Sequence, residues 1–306
     1  MKKVAIVILN FNGYKDTIEC LESLNKLSID NFEPLVVVVD NGSESKFKVQ
    51  SLKFKVGEIK VIRNEENLGF SGGNNIGIKY ALEQGSDYIL ILNNDTFVDK
   101  NLVKELIKTA DSDTKIGIVS PKIYFAKGFE FHEGRYKKDE LGCVFWYAGG
   151  IMDWKNLIGY HKGVDEVDNG QYDKIEETEI STGCCMMVKK EVFEKIGMLD
   201  ERYFLYYEDS DLNLRAKKAG FKIIYSPKAI LWHKNAGSGE GSGSSLQDYY
   251  ISRNRLIFGY QYGSLRLKFA LLRESFGLLI SGRKWQKRGI LDFYLRRFKR
   301  GSYKNE

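Results

Sequence analysis

The chain has 306 residues, 43% hydrophobic and 29% charged. That balance suits a globular domain with a sizeable core and excludes a disordered or fibrous chain. No run approaches the ~20 consecutive apolar residues of a membrane-spanning helix, and the formal net charge of +6 is concentrated at one end, with twelve Lys/Arg against three Asp/Glu from Tyr260 to Glu306.

The opening "MKKVAIVILNFNG" imitates a secretion signal. Its apolar run ends at Leu9 without a small-residue cleavage site, so it reads as the buried first strand of a cytoplasmic protein. From there the first 120 residues alternate strand and helix. Strands are predicted at Val4–Leu9, Leu35–Val39, Ile59–Ile62, Tyr88–Leu92 and Ile116–Val119, the last stopped by Pro121. Helices are predicted at Tyr14–Lys26, Gly73–Leu82 and Asn101–Thr109. Continuous apolar runs between amphipathic helices imply an α/β fold with a parallel sheet covered on both faces. Ligands of such sheets sit at the carboxyl ends of the strands. The polar stretches "NFNG", "DNGS", "NEENLGFSGGNN" and "NNDT" fall there.

Residues 122–180 lose this rhythm and are aromatic and strand-like, with Trp146, Tyr147, Trp154 and His161 among them. "CCMMVKK" then reads as a strand, "KEVFEKIG" and "SDLNLRAKKAG" as helices, and "FKIIYSP" as a strand stopped by Pro227. The Gly/Ser-rich run 235–245 reads as a mobile lid over the site. Cys20, Cys143, Cys184 and Cys185 lack CxxC or zinc spacing and read as reduced, packed thiols.

Each polar cluster has two readings. Asp40 in "DNGS" contacts a nucleoside or makes an Asx turn. The glycines of "NLGFSGGNNIG" let the backbone approach a ligand or only bend the chain. Asp95 binds a hard cation together with phosphates, or caps a helix. His233, beside such a carboxylate, completes a metal site or is structural. Glu208, Asp209 and Asp211 follow five apolar or aromatic residues, Tyr203 to Tyr207. The helix dipole favours acids at that place, while an apolar wall raises a carboxylate's pKa and makes it a better base.

The order of the pieces is more specific than any one of them. "VAIVILNFNGYKDTIECLESL", "VVVVDNGSES", "NLGFSGGNNIGIKYAL", "YILILNNDTFVD", "STGCCMMVKKEVFEKIGMLDERYFLYYEDSDLNLRAKKAGF" and "LWHKNAGSG" together resemble family 2 glycosyltransferases, in particular the rhamnosyltransferase-like branch that builds bacterial surface polysaccharides. The likeness runs from Val4 to about Phe258.

That resemblance implies a GT-A fold, an inverting transfer, a divalent metal (Mg²⁺ or Mn²⁺) and a dTDP- or UDP-sugar donor. It also implies a glycan or lipid-linked acceptor. It assigns Asn10, Asn12, Asp40 and Ser43 to the nucleoside, and Gly69, Gly72 and Asn74 to the nucleotide pocket. Asp95 is implied as the metal acid, with Asn93 standing where the family's DxD element has its first Asp. His233 completes the metal site, Asp209 is the base with Glu208 beside it, and Arg253 reaches toward the diphosphate.

The expected organisation is a nucleotide-sugar half at 1–120, an acceptor-side and catalytic half at 121–259, and a basic tail at 260–306. Within 263–300, apolar and basic residues alternate at helical spacing, the pattern of a peripheral helix on anionic lipid or of a basic face packed on the domain. No nucleic-acid recognition motif accompanies the charge. A nucleotidyltransferase would need a basic Gly-rich phosphate loop after the first strand, which "NFNGYKD" lacks. A glycan-binding scaffold with a decayed site is the remaining alternative, kept open by Asn93.

Overall fold

A computed structural model describes residues 1–47, 56–57, 59–235 and 244–303. The lid expected at 235–245 lies almost wholly outside the described residues.

The first half is β1 (Lys2–Asn10), α1 (Tyr14–Leu24), β2 (Phe32–Asn41), β3 (Ile59–Asn64), α2 (Gly69–Glu83), β4 (Tyr88–Asn93), β5 (Thr96–Val98), α3 (Leu102–Ala110) and β6 (Ile116–Phe125). Then come β7 (Phe145–Tyr147), β8 (Gly150–Asp153), β9 (Ile158–His161), β10 (Glu176–Glu177) and β11 (Cys185–Lys189). The chain closes with α4 (Lys190–Ile196), α5 (Glu208–Lys218), β12 (Lys222–His233), α6 (Ser245–Tyr262), α7 (Leu265–Ser281) and α8 (Lys284–Tyr294).

The main sheet runs β10-β12-β6-β11-β4-β1-β2-β3. β3, β2, β1 and β4 are mutually parallel, and β6 is parallel to β12. β11 enters between β4 and β6 antiparallel to both, so the sheet is mostly rather than wholly parallel. The period of two explains why β1 is apolar throughout. Val4, Ile6 and Ile8 face Leu21 and Leu24 of α1 and Leu106 of α3. Ala5 and Val7 face Ile78 of α2 and Leu212 and Ala216 of α5.

Neither Pro121 nor Pro227 stops its strand. Pro121 lies opposite Ser226, and the register then jumps to Lys122 opposite Ile230, leaving Pro227–Ala229 bulged out of the ladder. A bulge is where a sheet tolerates a missing N–H. The continuation of β12 carries His233 alongside Phe125 and Thr96. α2 also begins four residues before the predicted start, so Gly69 and Gly72 are helical.

The tail is not a free appendage. α8 lies along α6, and the segment after it is fastened there. Tyr249 donates its hydroxyl hydrogen to Asp292, and Ser302 N–H donates to the same carboxylate at 2.8 Å. α7 is the looser element, with Leu271 and Ser275 buried and its other face open to solvent.

Candidate active site

The ends of β1, β2 and β3 are tied together by polar side chains. Asn10 Nδ2 donates to Asp40 Oδ1 at 3.3 Å and to Ser43 Oγ at 3.2 Å. Ser43 Oγ also accepts from the Asn12 backbone N–H at 2.9 Å. Asn12 sits at φ 55°, a conformation Asn tolerates better than most residues.

Burial alone would push the Asp40 carboxyl up. The Phe47 N–H, the Ser43 hydroxyl and the Arg63 guanidinium more than offset it and hold the group below its ordinary value, as a carboxylate. Arg63 carries no motif that marks it in the sequence. The parallel register that sets Asp40 opposite Arg63 is the signal that finds it.

The Gly-rich segment answers first to protein packing. Gly69 has φ +75°, and a Cβ there would lie 2.3 Å from the Phe204 carbonyl oxygen. A Cβ on Gly72 would meet Leu68 at 2.9 Å, and one on Gly77 would meet Val7 at 2.4 Å. The glycines therefore seat α2 on the sheet and on the loop before α5. Asn74 is buried on this helix and donates to the Phe70 carbonyl at 2.9 Å, its Oδ1 having no hydrogen-bond partner among the described residues.

β4 delivers Asn93, Asn94 and Asp95. Asn93 is half-buried, and its backbone is fixed by Cys184 O at 2.8 Å. Asn94 Nδ2 donates to Thr17 Oγ1 at 2.9 Å. Asp95 and His233 are both nearly enclosed, with His233 Nε2 3.1 Å from Asp95 Oδ1. Trp146 packs edge-on against the His233 ring at 4.5 Å and against the His161 ring at the same distance. Burial pushes His161 down to about 4, so it stays neutral.

Carboxylate oxygen beside imidazole nitrogen is a donor set for a divalent ion such as Mn²⁺. The buried His233 Nδ1 has no hydrogen-bond partner among the described residues. Among the described residues, no group of three or more His, Cys, Asp or Glu side chains is placed to hold a metal.

The acids of the aromatic loop meet this corner through two consecutive residues. Asp209 Oδ2 accepts from the Gly183 N–H at 3.1 Å, and the next carbonyl, that of Cys184, accepts from Asn93 N–H at 2.8 Å. The segment leading into β11 thus ties the candidate base to the end of β4.

Tyr206 and Tyr207, immediately before Glu208, have φ 69° and 76°. Two successive aromatic residues in this region are costly, about 1–3 kcal/mol each. Asn254 of α6 offsets part of it: it is fully buried and donates at 2.8 Å to both the Leu205 and the Tyr206 carbonyls. Neither Asn254 nor Gly183 stood out in the sequence, because each acts through backbone atoms far away in the chain.

Burial raises the Asp209 carboxyl above its ordinary value, the Gly183 and Ser210 N–H groups only partly opposing it. Burial, with Asp209 next to it, pushes Glu208 well above, and its Oε2 has no hydrogen-bond partner among the described residues. Asp211 is engaged elsewhere, accepting from Arg215 at 2.7 Å and Tyr262 at 2.6 Å.

These shifts predict a pH-dependent stability. A carboxyl raised on folding stabilises fully below its unfolded pKa of about 4.3, and that contribution is lost as pH rises through the folded value. Glu208→Gln does not titrate. It is expected to raise Tm by roughly 2–4 °C at neutral pH, the gain vanishing toward pH ~4. Thermal unfolding at several pH values measures it; a lower Tm at neutral pH would mean Glu208 is ionised and held by a cation.

The structure places Arg253 away from any diphosphate contact. Its guanidinium is fully buried, lies over the Tyr249 and Tyr250 rings, and donates to the carbonyls of Lys299 at 2.7 Å and Arg202 at 3.2 Å. It fastens the tail to the loop that carries the acids.

The sequence profile described as "Glycosyl transferase family 2" matches residues 5–197. The chain belongs to that family. A hexosyltransferase of low-salt glycan biosynthesis from Haloferax volcanii, Agl10, is 29% identical, over 83% of this chain and 74% of the relative. An N-acetylglucosaminyl-diphospho-decaprenol L-rhamnosyltransferase from Mycobacterium tuberculosis is 24% identical, over 75% of this chain and 76% of its own length.

The crystal structure of GalNAc-T7 with UDP, GalNAc and Mn²⁺ superposes with TM-score 0.62 at 17% identity. The match covers 96% of this chain and 57% of that one. The fold is the GT-A type expected, and the chain is a glycosyltransferase, rhamnosyltransferase-like in sequence.

Proposed function

We propose that this glycosyltransferase is inverting and metal-dependent, moving a hexose such as rhamnose from a dTDP- or UDP-sugar to a glycan or lipid-linked acceptor in surface polysaccharide synthesis. The observation that carries the reading is the joint at Gly183–Cys184, which brings the raised carboxyl of Asp209 together with the β4 corner bearing Asp95. Asp209 accepts the proton of the acceptor hydroxyl. The acceptor oxygen bonds to the anomeric carbon as the bond from that carbon to the phosphate oxygen breaks, and the nucleoside diphosphate leaves. Burial, with Asp209 next to it, favours the neutral form of Glu208 and so limits the negative charge at the base.

Asp95 and His233 would hold Mg²⁺ or Mn²⁺, which supplies positive charge beside the departing diphosphate. Asn10, Asn12, Asp40 and Ser43 hold the nucleoside, joined by Arg63, with Asn74 and Asn93 toward the diphosphate. Residues 1–120 are the donor half, 121–259 the acceptor and catalytic half, and 260–306 the tail. No described helix is long and apolar enough to cross a membrane. A cytoplasmic enzyme working at the inner membrane face suits a lipid-linked acceptor like the one named for the mycobacterial relative.

The test is thermal stabilisation by dTDP-, UDP- and GDP-sugars, each with and without Mn²⁺. One nucleotide class is expected to raise Tm, and only with metal. No shift with any of them, and none after an acceptor is added, would favour a glycan-binding scaffold.

A further inference from the structure

Leu265, Phe269, Phe276 and Ile280 of α7 are 76%, 69%, 62% and 81% exposed. Their spacings of four, seven and four residues put them within ~60° of one another on the helix. They lie opposite Leu271 and Ser275, which bury the other face. A stripe of two Phe, a Leu and an Ile open to water is unusual on a soluble protein and marks a surface that is covered in use.

Its borders identify the cover. On the same helical projection, Arg266 and Arg273 flank the stripe on one side and Lys268 on the other. Glu274, the one acid of α7, points away and pairs with Arg255 at 2.6 Å. Arg296, Arg297 and Arg300 add exposed positive charge just past α8. Cationic borders repel a second copy of the same face and suit an anionic surface. An apolar stripe with cations along both edges is what a helix needs to lie in the plane of a lipid interface.

We propose that the outer face of α7 docks on an anionic bilayer, while α8 and the residues after it pack on the protein. The two-stranded β8–β9 hairpin is its neighbour. Leu157 at the hairpin turn shares one buried cluster with Leu271 of α7, and Trp154 stacks on Phe258 of α6. The hairpin keeps Ile151, Ile158 and Tyr160 exposed. Its root is bonded at Gly150 to Glu179, four residues before the Gly183 N–H that holds Asp209. The exposed apolar side chains of the hairpin would then lie between the docked helix and the segment that holds the base, on the side where a lipid-linked acceptor arrives. That last point rests on the glycosyl-transfer reading; the docking does not.

The experiment is co-sedimentation of the full chain with vesicles of phosphatidylcholine alone and of phosphatidylcholine with phosphatidylglycerol. Wild type is expected to pellet with the anionic vesicles, less so at high salt. The double variant Phe269→Glu/Phe276→Glu is expected to lose about tenfold in partition. Arg266→Glu/Arg273→Glu should lose binding to the anionic vesicles selectively. These side chains are exposed, so Tm and the metal-dependent donor shift should match wild type. Wild type left in the supernatant, or a double variant that pellets as well as wild type, would overturn the proposal. So would a wild-type dimer that the double variant converts to monomer. Vesicle binding without any donor shift would instead count against the transferase reading alone.

Discussion

Asp209→Asn is expected to lower glycosyl transfer by ~10²–10⁴-fold, the range lost with a positioned general base. Donor affinity should stay within about twofold, because the removed charge acts on the acceptor proton. The variant should fold. Asn has nearly the same shape, its amide oxygen can still accept from the Gly183 N–H, and burial already disfavours the charge it removes. In wild type the raised carboxyl becomes a base only above the ordinary carboxylate range of about 3.9, so transfer should rise with pH along an acid limb displaced upward from that value. Transfer rates with donor-binding isotherms for both proteins decide it. Undiminished transfer by Asp209→Asn removes this residue as the base.

Asp95→Asn and His233→Ala are expected to abolish the part of donor affinity that depends on Mn²⁺, by at least ~100-fold. Without metal, both variants and wild type should bind the nucleotide equally weakly. Asp95→Asn is the cleaner probe, because an amide can keep the contact with His233 while losing the charge that a hard cation requires. Both side chains are nearly enclosed, so each variant's Tm without ligands must be compared first. Metal titrations by calorimetry at fixed donor separate the outcomes. Full metal dependence in Asp95→Asn would move the cation elsewhere.

Much of the polar cluster at the strand ends could be read from the sequence because its determinants are local. An apolar run ending in Asn10, Asp40 or Asn93 marks a strand and its carboxyl end together, and those ends gather at one edge of a parallel sheet. Asp95 with His233 was harder, since 138 positions separate them. The pairing holds because β12 continues through the bulge at Pro227, where a proline would ordinarily argue for a stop.

The glycines of α2 are ambiguous for a related reason. Glycine serves close packing and ligand approach through the same absent Cβ, and here Phe204, Leu68 and Val7 occupy the space. Arg253 misled because a cation looks like an anion's partner until carbonyl oxygens are seen to take its N–H groups. Asn254 was invisible, because what it holds is backbone in an unusual conformation. The tail divided in a way periodicity does not reveal: α7 and α8 both alternate apolar and basic residues, and only packing tells which apolar face is already covered.

The proposed transfer is a single displacement in which one carboxylate acts on the acceptor. The most direct measurement is the anomeric configuration of the newly transferred or hydrolysed sugar, read by proton NMR before mutarotation. Inversion relative to the donor is the predicted result. Retention would require a covalent glycosyl-enzyme or an internal return mechanism, and would contradict the role given to Asp209.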